Sequence, residues 1–477
     1  MALLVLAALA RRAGWNVRVI DENYDPLPDE RPDCVAMPVW TTLAPRAYVL
    51  ADAYRARGIP VLMGGVHASL LPGEALRHAD AVVSGEADGI FGDVLADALA
   101  GTLRPLYQGE WQGMEEVPTN HEWADIVRKW PIARYAPMNT IQTTRGCRFN
   151  CDFCSVIRIN GRGSRHRDPE VVVEEIKVLK RSGQHIGDFA YVFFLDDDLA
   201  ADLDFAHDLS AAILRSGVKV TWGAQASIGL AKNPDLLDLA GRSGLKVMFT
   251  GFESVSRDSL IECNKKNRPG EYAELIEAVH RKGMAVEGGF IFGFDNEGPD
   301  VFDETVEYVD RMGVDVAHFS ILTPYPGTQT FARMVADERI TSFDWKRYNL
   351  YQVVYEPAGM TPLQLHEGVR RAYKQFYALR PRLRRMVRES MRRDPRFHTA
   401  MTICGQNYHD RYRQLICSTD PGYEAHPDDI ALLTKASAAP AQEALSVAFA
   451  GAAGNVRITR KSAATAPVRP PVATARG

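Results

Sequence analysis

Residues 143–154 read Thr-Thr-Arg-Gly-Cys-Arg-Phe-Asn-Cys-Asp-Phe-Cys, directly after a predicted strand. The spacing of Cys147, Cys151 and Cys154 is C-x3-C-x2-C. Thiolates are ligands of iron–sulfur clusters and of zinc. Three protein ligands leave one iron of a four-iron cluster open, whereas structural zinc needs a fourth ligand, for which His166 is the nearest candidate. The spacing favours a cluster with an open iron over structural zinc or a plain electron-transfer cluster.

Strand and helix patterns alternate around this stretch over residues 139–325. Apolar runs predict six strands, at 140–144, 191–196, 218–225, 245–253, 285–294 and 315–322. Amphipathic segments that each end in glycine predict five helices, at 169–183, 204–217, 233–244, 270–283 and 300–313. This order predicts a partial (β/α)6, TIM-like barrel, which binds its ligands at the carboxyl ends of the strands.

The segments before and after the barrel have different patterns. Residues 1–105 predict a Rossmann-like, doubly wound α/β domain, with strands at 16–22, 34–40, 59–65 and 80–86 and helices at 46–58 and 72–79. Residues 106–138 are expected to be a linker and residues 326–430 a mostly helical region. Residues 437–477 have the composition of a disordered tail.

Composition excludes several functional classes. The chain has 477 residues and a net charge of -4, so its overall charge gives no reason to expect a nucleic-acid partner. It contains no apolar run long enough for a transmembrane helix. The seven cysteines are an odd number with three close together, which indicates a reducing, cytoplasmic compartment; Cys404 and Cys417 are expected to be spare buried thiols.

The cysteine motif on this loop of a six-fold βα run resembles the radical S-adenosylmethionine (SAM) superfamily. The resemblance implies a [4Fe–4S] cluster on Cys147, Cys151 and Cys154 whose open iron binds SAM. Reductive cleavage of SAM would then give a 5′-deoxyadenosyl radical, which abstracts hydrogen from an unactivated carbon. The implied partners are a small-molecule substrate and an external one-electron reductant such as flavodoxin or ferredoxin.

The resemblance also implies residues that bind SAM. Phe153 would lie against the adenine, and Asp196 and Asp197 would bind the methionine ammonium, unless they only cap the turn that follows. Glu253 would point into the barrel. The fifth strand matches a G-x-I-x-G pattern, with Glu297 one position after the place of the usual acid. The full predicted set is Phe153, Asp196, Asp197, Glu253, Gly289, Ile291 and Gly293. Arg167, Gln225, Ser227 and Lys266 are weaker candidates, since each is also explained as ordinary polar surface.

Residues 16–100 resemble the cobalamin-binding module that precedes the barrel in one branch of this superfamily. The residues implied for cobalamin are Thr41, Thr42, Gly64, Gly65, His67, Gly85 and Glu86. For His67 a tail contact or a structural role is preferred to cobalt ligation. The branch has a strand ahead of the first helix that this sequence lacks, so Val17–Ile20 is expected to have an unpaired edge. Either the domain is degenerate or the true start lies roughly 10–20 residues upstream.

The function implied is cobalamin-dependent methyl transfer to an unactivated carbon. A radical SAM oxidase, cyclase or rearrangement catalyst that does not use cobalamin as a methyl donor is the alternative enzyme. An iron–sulfur electron carrier is the alternative of another class. Hopanoid-like lipids, tetrapyrroles, and peptide or polyketide natural products all remain open as substrates.

Overall fold

The computed structural model describes residues 1–22, 25–27, 30–127, 139–181 and 191–390. The predictions for Cys404, Cys417 and the tail at 437–477 lie outside these residues. Within them the chain forms two parallel sheets with covering helices, followed by helices that pack on the second sheet.

The first sheet has four parallel strands in the order β1-β2-β3-β4. Its short strands are apolar. The residues of β2 and β3 are almost entirely buried, as expected where helices cover a parallel sheet. The elements of this unit are α1 (Ala2–Arg12), β1 (Val35–Pro38), α2 (Ala44–Ala56), β2 (Val61–Gly64), α3 (Gly65–Leu70), α4 (Pro72–His78), β3 (Ala81–Ser84), α5 (Phe91–Ala100), β4 (Leu106–Gln108) and α6 (Ala124–Val127).

Two details of this unit differ from the sequence prediction. The predicted strand at 16–22 pairs with no other strand in the described part of the chain, and β1 is hydrogen-bonded on one edge only. An extended segment becomes a strand only when its backbone groups have a ladder partner, and the described residues provide none for residues 16–22. The predicted linker at 106–138 instead begins with β4, which completes the sheet.

The second sheet confirms the predicted barrel, with six parallel strands in the order β5-β8-β9-β10-β11-β12. The helices between them cover its outer face. A two-residue antiparallel pair, β6 with β7, brackets the cysteine loop. The elements are β5 (Asn139–Ile141), β6 (Thr144–Arg145), α7 (Val156–Ile159), β7 (Arg165–His166), α8 (Pro169–Arg181), β8 (Tyr191–Phe194), α9 (Leu203–Arg215), β9 (Thr221–Gln225), α10 (Pro234–Ser243), β10 (Leu245–Glu253), α11 (Arg257–Glu262), α12 (Tyr272–Arg281), β11 (Ala285–Phe292), α13 (Val301–Met312) and β12 (Val316–Ile321).

Burial alternates along the barrel strands. Side chains such as Phe194, Trp222 and Phe319 point outward and are fully buried under the helices. Their neighbours on the inner face, including Phe249 and His318, are partly exposed. Because side chains alternate between the two faces of a strand, this pattern shows a lumen that is open to solvent.

The chain continues with α14 (Gln329–Ala336), α15 (Pro362–Phe376) and α16 (Leu379–Ser390). The hydroxyl of Tyr373 on α15 accepts a hydrogen bond from the backbone N–H of Phe319, which fixes this helix against β12. One continuous apolar core joins the first sheet, the barrel and α15. None of the described helices is long and apolar enough to cross a membrane.

Candidate cofactor sites

The cysteine loop lies between β6 and α7 at the carboxyl ends of the barrel strands. Hydrogen bonds to its backbone hold it in place. Gly146 has φ +93°, and a Cβ there would lie 2.4 Å from the carbonyl oxygen of Gly163. The N–H of Gly146 donates to Asp197 Oδ2 at 2.8 Å. Further along, Asn264 Nδ2 donates to the carbonyl of Asn150 at 2.8 Å. These contacts fix the loop just before Cys147 and between Cys147 and Cys151.

The three thiols lie close enough to interact electrostatically. The pKa of Cys147 is raised to about 11 and that of Cys154 to about 12, mainly by burial, and the charges of neighbouring cysteines act in the same direction. Within the described residues no three His, Cys, Asp or Glu side chains converge closely enough for a single metal ion. A cubane cluster attaches each thiolate to a different iron, so three cysteines can hold it with one iron left open. His166, the candidate fourth zinc ligand, instead stacks on Phe205 at 4.5 Å between ring centroids.

A lysine beside the thiols was missed by the sequence analysis. Lys265 Nζ lies 2.9 Å from Glu253 Oε1, with 15% and 12% of the two side chains exposed. Its charge acts on all three cysteines in the direction that lowers their pKa. The neighbouring candidate Lys266 is exposed. Glu253 itself has φ +66°, so this residue, predicted for the lumen, sits on a strained backbone and neutralises Lys265.

The acids after β8 support the cysteine loop. Asp196 is 3% exposed and accepts hydrogen bonds from Thr143 N–H, Thr143 Oγ1 and Thr144 N–H, at 2.6–2.7 Å. Burial raises the pKa of Asp196 to about 7. Asp197 accepts from Gly146 and from Asn160, while Asp198 caps the next turn by accepting from Ala200 N–H. Both oxygens of Asp196 therefore accept hydrogen bonds from the segment that leads into the cysteine loop.

The G-x-I-x-G strand has two parts with different roles. Gly289 and Ile291 are partly exposed on the lumen face of β11, and a Cβ at Gly289 would meet only Phe249, at 3.5 Å, and backbone at 3.9 Å. Gly293 has φ +104°, and a Cβ there would lie 2.2 Å from the hydroxyl of Tyr355. Gly289 thus leaves open lumen space, whereas Gly293 permits close packing.

Glu297 holds the turn that follows this strand. Its carboxylate accepts from the N–H groups of Gly293 at 2.8 Å and Phe294 at 3.2 Å, and from Ser259 Oγ at 2.9 Å. Burial raises its pKa to about 7. Glu297, which stands one position after the place of the usual acid, therefore supports the backbone of the turn.

A second lumen feature that the sequence analysis missed is a carboxylate–imidazole pair. Glu287 on β11 is hydrogen-bonded to His318 Nε2 on β12, and the His318 ring lies 5.7 Å from that of Phe249. Gly289 is in register with His318 and with Gly251. This row of two glycines beside an imidazole gives the lumen a flat wall with a polar edge.

The first sheet has an apolar crevice at the carboxyl ends of β1, β2 and β3. It is lined by Pro38, Met63, Gly64, Gly65, Gly85 and Ala87 among others. Thr41 and Thr42 begin the single 3-10 turn that follows β1. This is where open parallel sheets bind ligands, and three of the residues predicted for cobalamin, Gly64, Gly65 and Gly85, line it. The crevice therefore suits that cofactor.

Two predicted cobalamin residues have other partners. His67 is fully buried, with Nε2 3.0 Å from the hydroxyl of Tyr48 and 3.4 Å from Glu74. This agrees with the structural role that was one of its two predicted alternatives. Glu86 accepts hydrogen bonds from Arg165, with Nη2 2.5 Å from Oε1 and Nη1 2.9 Å from Oε2, so its carboxylate faces the barrel. The weaker candidate Arg167 donates to three backbone carbonyls and is likewise structural.

Comparisons with known proteins agree with both predicted domains. A family model described as Radical SAM superfamily matches residues 141–309, and one described as B12 binding domain matches residues 1–95. The bacteriochlorophyllide d C-12(1)-methyltransferase of Chlorobaculum tepidum is 30% identical over 79% of this chain and 82% of its own. The anaerobic magnesium-protoporphyrin IX monomethyl ester cyclase of Cereibacter sphaeroides is 26% identical over 73% of this chain and 60% of its own.

Among solved structures, the radical SAM methyltransferase TsrM of Kitasatospora setae, with cobalamin and a [4Fe–4S] cluster bound, has a TM-score of 0.58. It is 16% identical over 70% of this chain and 74% of its own, so it supports the fold. A [4Fe–4S] cluster, SAM and cobalamin are the cofactors that follow from the two domains. The chain therefore belongs to the radical SAM superfamily of enzymes, in the branch whose barrel follows a B12-binding domain.

Proposed function

We propose that the protein is a methyltransferase that uses cobalamin and radical SAM chemistry to methylate an unactivated carbon. The observation that carries this proposal is the contact between its two cofactor sites. Glu86, one residue after crevice-lining Gly85, lies 3.3 Å from Arg145, two residues before Cys147. A methyl donor in the crevice and a radical source on the cysteine loop would therefore face the same substrate space.

The proposed roles of the residues follow from their positions. Cys147, Cys151 and Cys154 hold the cluster, and Lys265 stabilises their negative charge. When bound, the cluster supplies the electron that cleaves SAM, and cobalamin supplies the methyl group. Phe153, with Gly289 and Ile291 on β11, forms the SAM contact surface. The crevice residues Thr41, Thr42, Gly64, Gly65 and Gly85 contact cobalamin.

The proposed substrate class is a tetrapyrrole. The two relatives described above are named for bacteriochlorophyllide d and for a magnesium protoporphyrin ester. In this chain, Phe249 and the neighbouring glycines Gly251 and Gly289 give the lumen a flat apolar wall. Glu287 and His318 lie at the edge of this wall. A planar ring system with polar substituents suits such a wall. We further propose a cytoplasmic protein that receives electrons from a flavodoxin or ferredoxin.

The test is an anaerobic reaction of the reconstituted protein with methyl-labelled SAM, hydroxocobalamin, a reductant and bacteriochlorophyllide d. The expected products are 5′-deoxyadenosine and a pigment that carries the labelled methyl group. Omission of hydroxocobalamin should abolish label transfer. Replacement of all three cysteines, Cys147, Cys151 and Cys154, by Ala should abolish both products.

The outcomes separate this proposal from its alternatives. A pigment that changes without gaining label would favour the cyclase or oxidase alternative, for which the Cereibacter relative provides the precedent. Cleavage of SAM that persists in the triple cysteine variant would contradict the assignment of the cluster ligands. Protein that cleaves no SAM under any of these conditions would favour an electron carrier.

A further inference from the structure

Four charged side chains connect the crevice of the first sheet to the cysteine loop of the barrel. Glu86 and Asp88 follow β3, while Arg145 and Arg165 are paired across β6 and β7. Arg145 Nη1 lies 2.6 Å from Asp88 Oδ2 and 3.3 Å from Glu86 Oε2. Arg165 Nη1 lies 2.9 Å from Glu86 Oε2. We call these four residues the interdomain ion cluster.

The cluster is largely shielded from water. The exposed side-chain fractions are 10% for Arg145, 7% for Glu86 and 12% for Asp88. Burial by itself lowers the pKa of Arg145, but the hydrogen bond and charge of Asp88 and the charge of Glu86 outweigh it and raise that pKa. Buried charges are tolerated only when paired, so each member depends on the others to keep its position.

On the barrel side, the cluster holds both ends of the cysteine loop. Arg145 directly precedes Gly146 and Cys147. Arg165 Nη2 donates to the carbonyl of Asn160 at 2.8 Å, and Asn160 Nδ2 donates to Asp197, which also accepts from Gly146. A shift of either arginine would therefore change the entry to the loop, the exit from it, or both.

On the crevice side, residues 85–88 contact the crevice and the arginines in alternation. Gly85 and Ala87 line the crevice, while the alternate residues Glu86 and Asp88 bind the arginines. Gly85 has φ +82°, and a Cβ there would lie 2.5 Å from the carbonyl of Gly109, so the segment is closely packed. A ligand seated against Gly85 and Ala87 would restrict the backbone that carries the two acids.

We propose that Glu86 and Asp88 are positioning residues that couple occupancy of the cobalamin crevice to the affinity of the cysteine loop for SAM. This inference rests on the proposed location of cobalamin. Cobalamin orders the 85–88 segment, the acids then hold Arg145 and Arg165 in one arrangement, and SAM meets a loop that is already ordered. A ligand that removes freedom which a second ligand must otherwise remove favours binding of that second ligand. The coupling is reciprocal, so SAM tightens cobalamin binding by the same factor.

The experiment measures the dissociation constant of SAM for the cluster-reconstituted full chain, with and without saturating hydroxocobalamin. We expect tighter binding of SAM with cobalamin, by about fivefold or more. The variant Asp88→Asn keeps the shape and removes the charge. It should retain its iron and bind hydroxocobalamin, but the ratio of the two dissociation constants should fall to about one. The change that SAM causes in the electron paramagnetic resonance signal of the reduced cluster should likewise no longer depend on cobalamin.

A matched control is Asp93→Asn, the same change at an exposed position on α5, which should keep the wild-type ratio. If Asp88→Asn loses its iron, Glu86→Gln serves as the second variant. The same loss of coupling between cobalamin and SAM is expected for it. The inference would be overturned if the two dissociation constants of SAM were equal in the wild-type protein, or if both acid variants kept the ratio of the wild type. It would also be overturned if the wild-type protein bound no hydroxocobalamin. Coupled binding without any methylation of pigment would instead contradict the proposed function and leave the coupling intact.

Discussion

At the scale of single residues, Lys265 is a cation whose charge acts on the thiols of the cysteine loop. Its ammonium interacts with all three cysteines and forms an ion pair with Glu253. A reduced cluster carries one more negative charge than an oxidised one, so a nearby cation favours reduction. Lys265 is thus expected to make the cluster easier to reduce.

We predict that Lys265→Met lowers the midpoint potential of the cluster by about 60 mV, a tenfold change in a one-electron equilibrium. The loss of the cation and the uncompensated charge of Glu253 act in the same direction. A redox titration followed by electron paramagnetic resonance measures this potential. Lys266→Met, at the exposed neighbouring position, is the control and should leave the potential unchanged. Equal potentials in the two variants would contradict this role of Lys265.

Glu297 gives a prediction about pH. Burial raises its folded-state pKa to about 7 from a usual value of 4.5. Its stabilising contribution is therefore fully present below about pH 4.5 and is lost as the pH rises through 7. Glu297→Gln cannot ionise, so its free energy of unfolding relative to wild type should rise by roughly 1–3 kcal/mol between pH 5 and pH 8.

The measurement is urea unfolding of the metal-free protein at several pH values. Glu304→Gln, an exposed change on α13, is the control and should follow the wild-type pH dependence. Parallel curves for wild type and Glu297→Gln would show that Glu297 is already ionised at pH 5 in the folded protein.

At the scale of elements, the turn from β2 into α3 determines the shape of the crevice. Gly65 has φ +85°, and a Cβ there would lie 2.9 Å from Val39 N and 3.0 Å from Val39 O. The glycine therefore allows two strand ends to approach each other, in addition to lining the crevice. A side chain would push the turn after β1 away from β2.

We predict that Gly65→Ala purifies with little or no corrin when cobalamin is supplied, while its iron content stays at the wild-type level. The left-handed backbone and the contact with Val39 both oppose the new methyl group. Corrin absorbance and iron analysis measure the two cofactors. Gly101→Ala is the control, since it has φ +70° with no atom within 4 Å of the added Cβ, and it should retain corrin. Full corrin content in Gly65→Ala would contradict the predicted role of this turn.

The elements themselves could largely be predicted from the sequence, because each barrel helix is amphipathic and ends near a glycine and each strand is a short apolar run. The segment at 16–22 has the composition of a strand, but pairing depends on a neighbour that local sequence does not report. The cysteine loop was predictable because its ligands lie close together in the chain.

The rest of the site depends on register and on distant contacts. Lys265 and Lys266 are indistinguishable as sequence, and only the packing of the segment after α11 buries one of them. Glu287 and His318 lie on different strands, and their contact follows from the pairing of β11 with β12. Asp196 was predicted as a SAM ligand from its position at a strand end, whereas its hydrogen bonds to Thr143 and Thr144 depend on the path of the following loop.

At the scale of the whole molecule, a buried polar contact fastens the region after the barrel to the first sheet. Trp345 Nε1 donates to Glu74 Oε1 at 2.9 Å, across 271 residues of sequence, and both residues are fully buried. Glu74 also contacts His67, which packs against the Trp345 ring at 5.5 Å between centroids. The crevice and the barrel are thus held together on the side of α4, in addition to the interdomain ion cluster.

We predict that Trp345→Phe lowers the free energy of unfolding by roughly 2–4 kcal/mol. Removal of the indole N–H deletes the shorter of the two contacts of buried Glu74 Oε1, the other being with His67 at 3.4 Å. The loss of this hydrogen bond costs about 1–3 kcal/mol, and the smaller ring leaves a cavity. Thermal or urea unfolding of the metal-free protein measures the loss. Trp40→Phe, where the tryptophan is 63% exposed, is the control and should cost less than about 0.5 kcal/mol. A single transition at the wild-type midpoint would contradict this role of the contact between Trp345 and Glu74.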